Sequence, residues 1–148
     1  MSTMTAQATQ VYQVFIKAPP EAIWDAITKP EFTERYFYGT RITVTPDSFR
    51  SVGGGDRDMV WGDVSEFEPP RRLVHNWRAL YDPEMADEDE SRVTWEIEPQ
   101  AGGISLLTVV HDRLEGAPKT AASVSGVGWM MVLSGLKTLL EVGRPMVD

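Results

Sequence analysis

Two histidines, His75 and His111, are the only imidazoles in the chain, and no cysteine accompanies them. An imidazole beside a nucleophile would point to general base catalysis, and two at close range would point to a metal. The absence of cysteine removes thiolate nucleophiles, disulfides and sulfur-ligated metals together. Ser105, Ser123 and Ser125 have no His/Asp pattern nearby that would activate a hydroxyl for acyl transfer. Asp82, Glu84, Asp87, Glu88, Asp89 and Glu90 crowd one segment, without the alternating Asp/Asn and central Gly of a calcium loop. That segment reads as a solvated, self-repelling hairpin loop, with docking of a basic partner as the second reading. As the longest connection it is also a candidate lid. Gly53-Gly54-Gly55 lacks a following Gly-Lys-Ser/Thr and reads as a turn, not a phosphate loop. The pattern predicts no catalytic residue, metal or cofactor.

The aromatics carry more information. Trp24, Phe37, Trp77, Trp95 and Trp129 are spread along the chain, and each buries about 150–250 Å² if enclosed. Two readings stand side by side. In one, the rings fill a solid core. In the other, Phe37, Trp77, Trp95, Val109, His111, Trp129 and Leu133 line a cavity for an apolar ligand. His111 has two readings of its own: a polar group that orients a ligand or acts as general base, or a core histidine satisfied by a neighbour. His75 reads as a core histidine.

These residues need elements to position them. Gln10 to Lys17 is a strand stopped by Pro19-Pro20, which opens a short helix with Ile23, Ala26 and Ile27 on one face. Pro30 starts a second short helix running toward Tyr36 and Phe37. Arg41 to Val52 gives two short strands around Pro46-Asp47. Then come Met59 to Phe67 and Arg72 to Leu80, joined at Pro69-Pro70, and Arg92 to Glu98 and Ile104 to Arg113, joined at Gly102-Gly103. Alternation places Leu73, His75, Trp77, Val93, Trp95 and Ile97 on one face, with Val93 opposite His111 and Ile97 opposite Leu107. The two histidines, near the start of one strand and the end of another running the same way, are expected at opposite ends of the sheet. Neither phase of Met59 to Phe67 is cleanly polar, so the pattern assigns Trp61 no face.

The chain closes on a long amphipathic helix in which Trp129, Val132, Leu133, Leu136 and Leu140 form the buried stripe. Gly126, Gly128 and Gly135 each cost roughly 1 kcal/mol against Ala in a helix. Close approach of the backbone to the sheet accounts for them, with a kink near Gly126-Val127-Gly128 that shapes a pocket mouth as the alternative.

With 148 residues the chain is long enough for one domain, expected over 9–143, with a flexible start over 1–8 and a tail over 144–148. A net charge of −8 and no Lys/Arg stripe argue against nucleic acid. No apolar run approaches the roughly 18 residues a membrane span needs, and the first ten residues lack a signal-peptide pattern. A cytoplasmic protein is expected, either monomer or homodimer.

The segments IKAPPEAIWDAITKPEFTERYF, GDVSEFEPPRRLVHNW, VTWEIEPQAGGISLLTVVHDRL and GWMMVLSGLKTLLE resemble, in order and spacing, the activator of heat-shock-protein-90 ATPase homologue-like family of the START/Bet v 1 (SRPBCC) superfamily. The resemblance runs from about Tyr12 to Glu141. It implies an α+β helix-grip fold, in which a curved antiparallel sheet wraps a long C-terminal helix and two short helices follow the first strand. It also implies one of three functions. The first is binding of a hydrophobic small molecule between sheet and helix, as carrier or sensor. The second is a protein-interaction role related to chaperone regulation, and the third is a polyketide cyclase or hydratase-like activity resting on shape and His111.

Overall fold

Proline and glycine stops divide the chain, in the computed structural model, into seven strands and five helices, described over residues 8–147. In order these are β1 (Gln10–Ile16), α1 (Pro20–Thr28), α2 (Pro30–Thr33), β2 (Arg41–Val44), β3 (Ser48–Val52) and β4 (Asp58–Glu68). There follow β5 (Arg72–Ala79), α3 (Pro83–Ala86), β6 (Ser91–Pro99), β7 (Ser105–Asp112), α4 (Pro118–Val124) and α5 (Val127–Val142). The strands form one antiparallel sheet in the order β1-β7-β6-β5-β4-β3-β2. Strands β2 to β7 make a meander of neighbours, and β1 adds beside β7 at the far edge. This is the helix-grip α+β architecture, with α5 along the inner face of the curved sheet. Of the expected flexible start, all but Ala8 falls outside the described residues.

The register follows the alternation. Val93 lies opposite His111 and Ile97 opposite Leu107, so Val93, Trp95, Ile97, Leu107 and Val109 are all buried on the inner face. Over β4 to β7 the outer face carries paired charges: Arg72 bridges Glu66 and Glu96, and Arg92 grips both carboxylate oxygens of Asp112 at 2.9 and 2.6 Å. Trp61 belongs to this outer face, 38% exposed and opposite Arg78.

The histidines are not at opposite ends of the sheet. His75 pairs with Val93, and Val93 pairs with His111, so all three share one cross-strand row. Antiparallel neighbours running in opposite directions bring the fourth residue of β5 level with the seventh of β7. Two strand spacings then separate the imidazole-bearing positions by roughly 10 Å.

Helix α4 is absent from the sequence expectation. Its seven residues are too few to show a helical period. Its own N-cap position, Ala117, supplies no side-chain acceptor, and the missing acceptor comes from the acidic segment. The Glu88 carboxylate accepts from the backbone N–H of Lys119 (2.8 Å) and of Thr120 (2.9 Å), and from Thr120 Oγ1 (2.7 Å). Burial raises the Glu88 pKa, but these donors outweigh it and hold the carboxyl below its ordinary value. Asp82 caps α3 in the same way, Arg78 Nη1 donates to the carbonyls of Ala86 and Glu88, and Lys119 pairs with Glu84. Part of the expected self-repelling loop is therefore docked, with Asp82 and Glu88 on helix ends and Glu84 on a lysine, while Asp87 and Asp89 stay exposed. A free lid is not what these contacts describe. Glu88→Ala removes an N-cap and is expected to cost about 1–2 kcal/mol, read as a lowered unfolding midpoint with faster amide exchange at Lys119 and Thr120.

Helix α5 buries Trp129, Val132, Leu133, Gly135, Leu136 and Leu139, with Leu140 half-buried at the margin. Gly126, at φ +57°, makes the 40° elbow between α4 and α5, where a Cβ would be strained. Gly135 is a close approach, but not to the sheet: a Cβ there would stand 3.1 Å from Tyr36 Cβ, in the link between α2 and β2.

Candidate functional site

Both histidines are fixed by indoles. An indole N–H can only donate, so the ring nitrogen facing it must accept. Trp129 Nε1 donates to His111 Nδ1 at 3.1 Å, which leaves the proton on His111 Nε2 for donation to Ser91 Oγ at 2.8 Å. Ser91 in turn donates to the carbonyl of Trp77 at 3.3 Å. His75 takes the other tautomer: Trp95 Nε1 donates to His75 Nε2 at 3.0 Å, and His75 Nδ1 donates to the carbonyl of Asn76 at 2.9 Å. Burial pushes the His75 pKa down to about 4. Burial, with the neighbouring His75 second, pushes that of His111 down to about 3. Both rings are therefore neutral at physiological pH and have no lone pair to spare. His111 fits a core histidine that ties α5 to the sheet, not a general base, and no cluster of three or more metal-ligating side chains exists among the described residues.

Beside this network lies a partly open cavity of about 290 Å³. One wall is the sheet. Where β3 meets β4, Ser51 pairs with Val60 but Val52 with Asp58, so Met59 is the extra residue of a bulge and is turned toward the cavity. Trp77 of β5 completes that wall. The opposite wall is the α4–α5 elbow, from Ser123 and Val124 to Trp129 and Val132. Phe37, Tyr38 and Thr40 close a third side.

Tyr38 adopts φ +52°, followed by Gly39 at +71°, and this left-handed pair aims the Tyr38 hydroxyl at α5, where it donates to the Gly128 carbonyl at 2.9 Å. Tyr81 and Ser123 share a second hydrogen bond at 2.9 Å. Two tyrosines thus tether the elbow, Tyr38 from the α2–β2 link and Tyr81 from the end of β5. Burial, followed by the nearby Tyr81, pushes the Tyr38 pKa above its ordinary value, so its hydroxyl stays neutral. No lining residue carries a charge at neutral pH.

Of the residues predicted for a cavity, Phe37, Trp77 and Trp129 are on its wall. Trp95, Val109, His111 and Leu133 lie outside it, in packed interior. The division follows the rings: Trp95 meets Trp129 edge-on at 5.4 Å and Phe37 meets Trp129 edge-on at 6.0 Å, so Trp129 plugs the space under α5 and confines the opening to its β3–β5 side. Solid aromatic core and cavity thus coexist on the two sides of one indole. Tyr38, Met59, Tyr81 and Val132 were not expected. The Tyr38-Gly39 turn carries a local signal, an aromatic before a glycine, whereas the bulge at Met59 carries none.

The family model for Activator of Hsp90 ATPase homolog 1-like protein matches residues 17–141. No curated protein sequence matches the chain significantly. Among solved structures, MLL2253 from Mesorhizobium loti is 23% identical with a TM-score of 0.73, over 90% of this chain and 97% of that one. DynU16, of the dynemicin biosynthetic locus, is 26% identical with a TM-score of 0.72, over 94% of this chain but only 49% of its own. PFC0360w, an HSP90 activator from Plasmodium falciparum, is 18% identical with a TM-score of 0.69, over 94% and 99%. The helix-grip sheet, the matched segment from the end of β1 to the last turn of α5, and these neighbours agree: the chain belongs to the Activator of Hsp90 ATPase homolog 1-like family.

Proposed function

We propose that this protein binds a hydrophobic small molecule in the cavity between β3–β5 and the α4–α5 elbow, as a carrier or sensor. The observation that carries the reading is the uncharged, aromatic-walled space of about 290 Å³, close to the lower end of small-molecule sites. Its walls come from elements that must fold to make it, so the shape is preformed. DynU16, which belongs to a biosynthetic locus, shares the fold at 26% identity. The cyclase or hydratase reading loses its base, because both nitrogens of His111 are engaged. The protein-interaction reading draws on the Plasmodium falciparum relative, an HSP90 activator. In this chain Glu88 of the acidic segment that would greet a basic partner is already docked on α4.

Saturable quenching of tryptophan fluorescence and a raised unfolding midpoint are expected with at least one class among fatty acids, sterols and fused-ring aromatics. Val132→Trp from the helix side and Ser51→Leu from the sheet side each fill the cavity and are expected to abolish that response while the protein stays folded. Absence of saturable binding across the panel overturns the proposal.

A further inference from the structure

Seven of the ten large hydrophobic side chains left exposed among the described residues lie on one side of the molecule, around the outward face of α5. Val127, Met130, Met131 and Val142 belong to the helix, Met146 and Val147 follow it, and Tyr38 flanks it from the α2–β2 link. At about 3.6 residues per turn, Val127, Met131, Ser134, Thr138 and Val142 form one stripe, opposite the buried stripe of Trp129, Val132 and Leu136. No charge interrupts it. The two charged residues of α5 are turned to its margin and engaged at β1: Lys137 Nζ donates to the Phe15 carbonyl and to Glu141, each at 2.7 Å, and Glu141 accepts from the Lys17 N–H at 2.8 Å.

Beside the stripe runs a groove of about 340 Å³, with Tyr36 and Tyr38 on one bank and Met131, Gly135, Met146 and Val147 on the other. Its charged residues are Glu34 and Arg35, one of each sign. The face therefore offers projecting side chains, Val127 and Met130, next to a recess of side-chain size.

A contiguous exposed apolar face marks a contact surface, and the charges select what covers it. A two-fold axis sets a patch against its own copy, so any charge near the axis meets its like. In a chain of net charge −8, contact through an acidic face is self-repelling, whereas the α5 stripe has nothing to repel. A lipid surface fits less well, because interfacial helices carry Lys and Arg beside their apolar face, and the one lysine of α5 is spent on β1.

We propose that the outward face of α5 is the contact between two copies of this chain, packed antiparallel about an axis near Ser134. Ser134 is exposed, lies at the middle of the 16-residue helix, and is small enough for two backbones to approach. The Val127 end of each helix then lies over the Val142 end of the other, and the methionines, which adapt to irregular gaps, enter the facing groove. The patch is smaller than the roughly 20–30 residues a side of a standard interface, so the dimer is a dissociating one. Tyr38 is a wall of both the groove and the ligand cavity, so the second copy covers the outer side of that wall. The contact stands whether or not the cavity holds a ligand.

Sedimentation of the full chain from about 1 to about 500 μM is expected to pass from monomer to dimer. Ser134→Glu and Ser134→Lys each set like charges together at the axis, and each is expected to weaken the dimer about tenfold or more. Their unfolding midpoints at low concentration are expected to stay unchanged, because the side chain is exposed. Mixed in equal amounts, the two variants are expected to dimerise again as opposite charges meet, a rescue that a folding defect does not give. A monomer over the whole range overturns the proposal, and so does a dimer that neither substitution weakens, since it uses another face. Weakening in both without rescue overturns the antiparallel packing about Ser134. A monomer that floats with phosphatidylcholine vesicles replaces the second copy by a lipid surface and overturns it as well.

Discussion

Acidification from pH 7 to pH 4 is expected to lower the folding stability of this protein steeply, and the two histidines are the reason. In the unfolded chain each titrates near 6.5; in the folded chain burial lowers His75 to about 4 and His111 to about 3. Between these values the unfolded state binds more protons than the folded one, so stability rises with pH across the window. The contribution is complete above pH 6.5 and is lost as the pH falls toward 4 and then 3. At 1.36 kcal/mol per pH unit, each ring withholds about 3 kcal/mol by pH 4. The two rings together withhold about 6 kcal/mol, a large share of the roughly 5–15 kcal/mol of an ordinary domain. Asp112, held low chiefly by its hydrogen bonds from Arg92, acts in the same direction, as do Glu66, Glu88 and Glu141, but only once the pH falls into the ordinary carboxylate range at about 5. The interval from about 6.5 to 5.5 therefore isolates the histidines. Urea unfolding at half-unit steps is expected to show a steep slope there, roughly halved in His75→Gln or His111→Gln and nearly flat in the double variant. A flat slope in the unmodified protein would show that the rings are charged or solvated in the native state.

Trp129→Ala is expected to be the most damaging single truncation. Trp129 is 2% exposed, and its ring meets those of Tyr12, Phe37, Trp77, Trp95 and His111 at centroid distances of 5.4–6.4 Å. It also supplies the hydrogen bond that fixes the His111 tautomer. Emptying such a site costs about 3–5 kcal/mol, and the stranded His111 nitrogen adds about 1–3 kcal/mol unless water reaches it. Trp129→Phe keeps most of the packing and loses the donor, so its cost is expected near the second figure alone. Equilibrium unfolding of the two variants separates the terms. If both lose the same amount, the hydrogen bond and not the packing is what holds α5 to the sheet.

What was legible in the residues was local. Period-two alternation in β6, from Val93 through Trp95 to Ile97, fixed its buried face and, with the apolar phase of β7, the Val93–His111 pairing. Proline stops placed α1 and α2, and the stripe from Trp129 to Leu136 placed the inward face of α5. Each of these signals lies within about fifteen residues, the range over which a strand or helix repeats its own pattern. The level row of His75 and His111 depended on summing two registers across three strands. The docking of Glu88 on α4 joined residues some thirty positions apart, where no periodicity connects an acceptor to the N–H groups it meets.

The cavity itself is the clearest case. Sequence determined that five large rings would be available and that most would face inward; it did not determine which would mesh and which would stand at an opening. That was decided by the elbow at Gly126, the bulge at Met59 and the left-handed turn at Tyr38, three small backbone departures on separate elements. A void is the space that packed atoms fail to fill, so it belongs to no segment. It exists only once all the walls are in place.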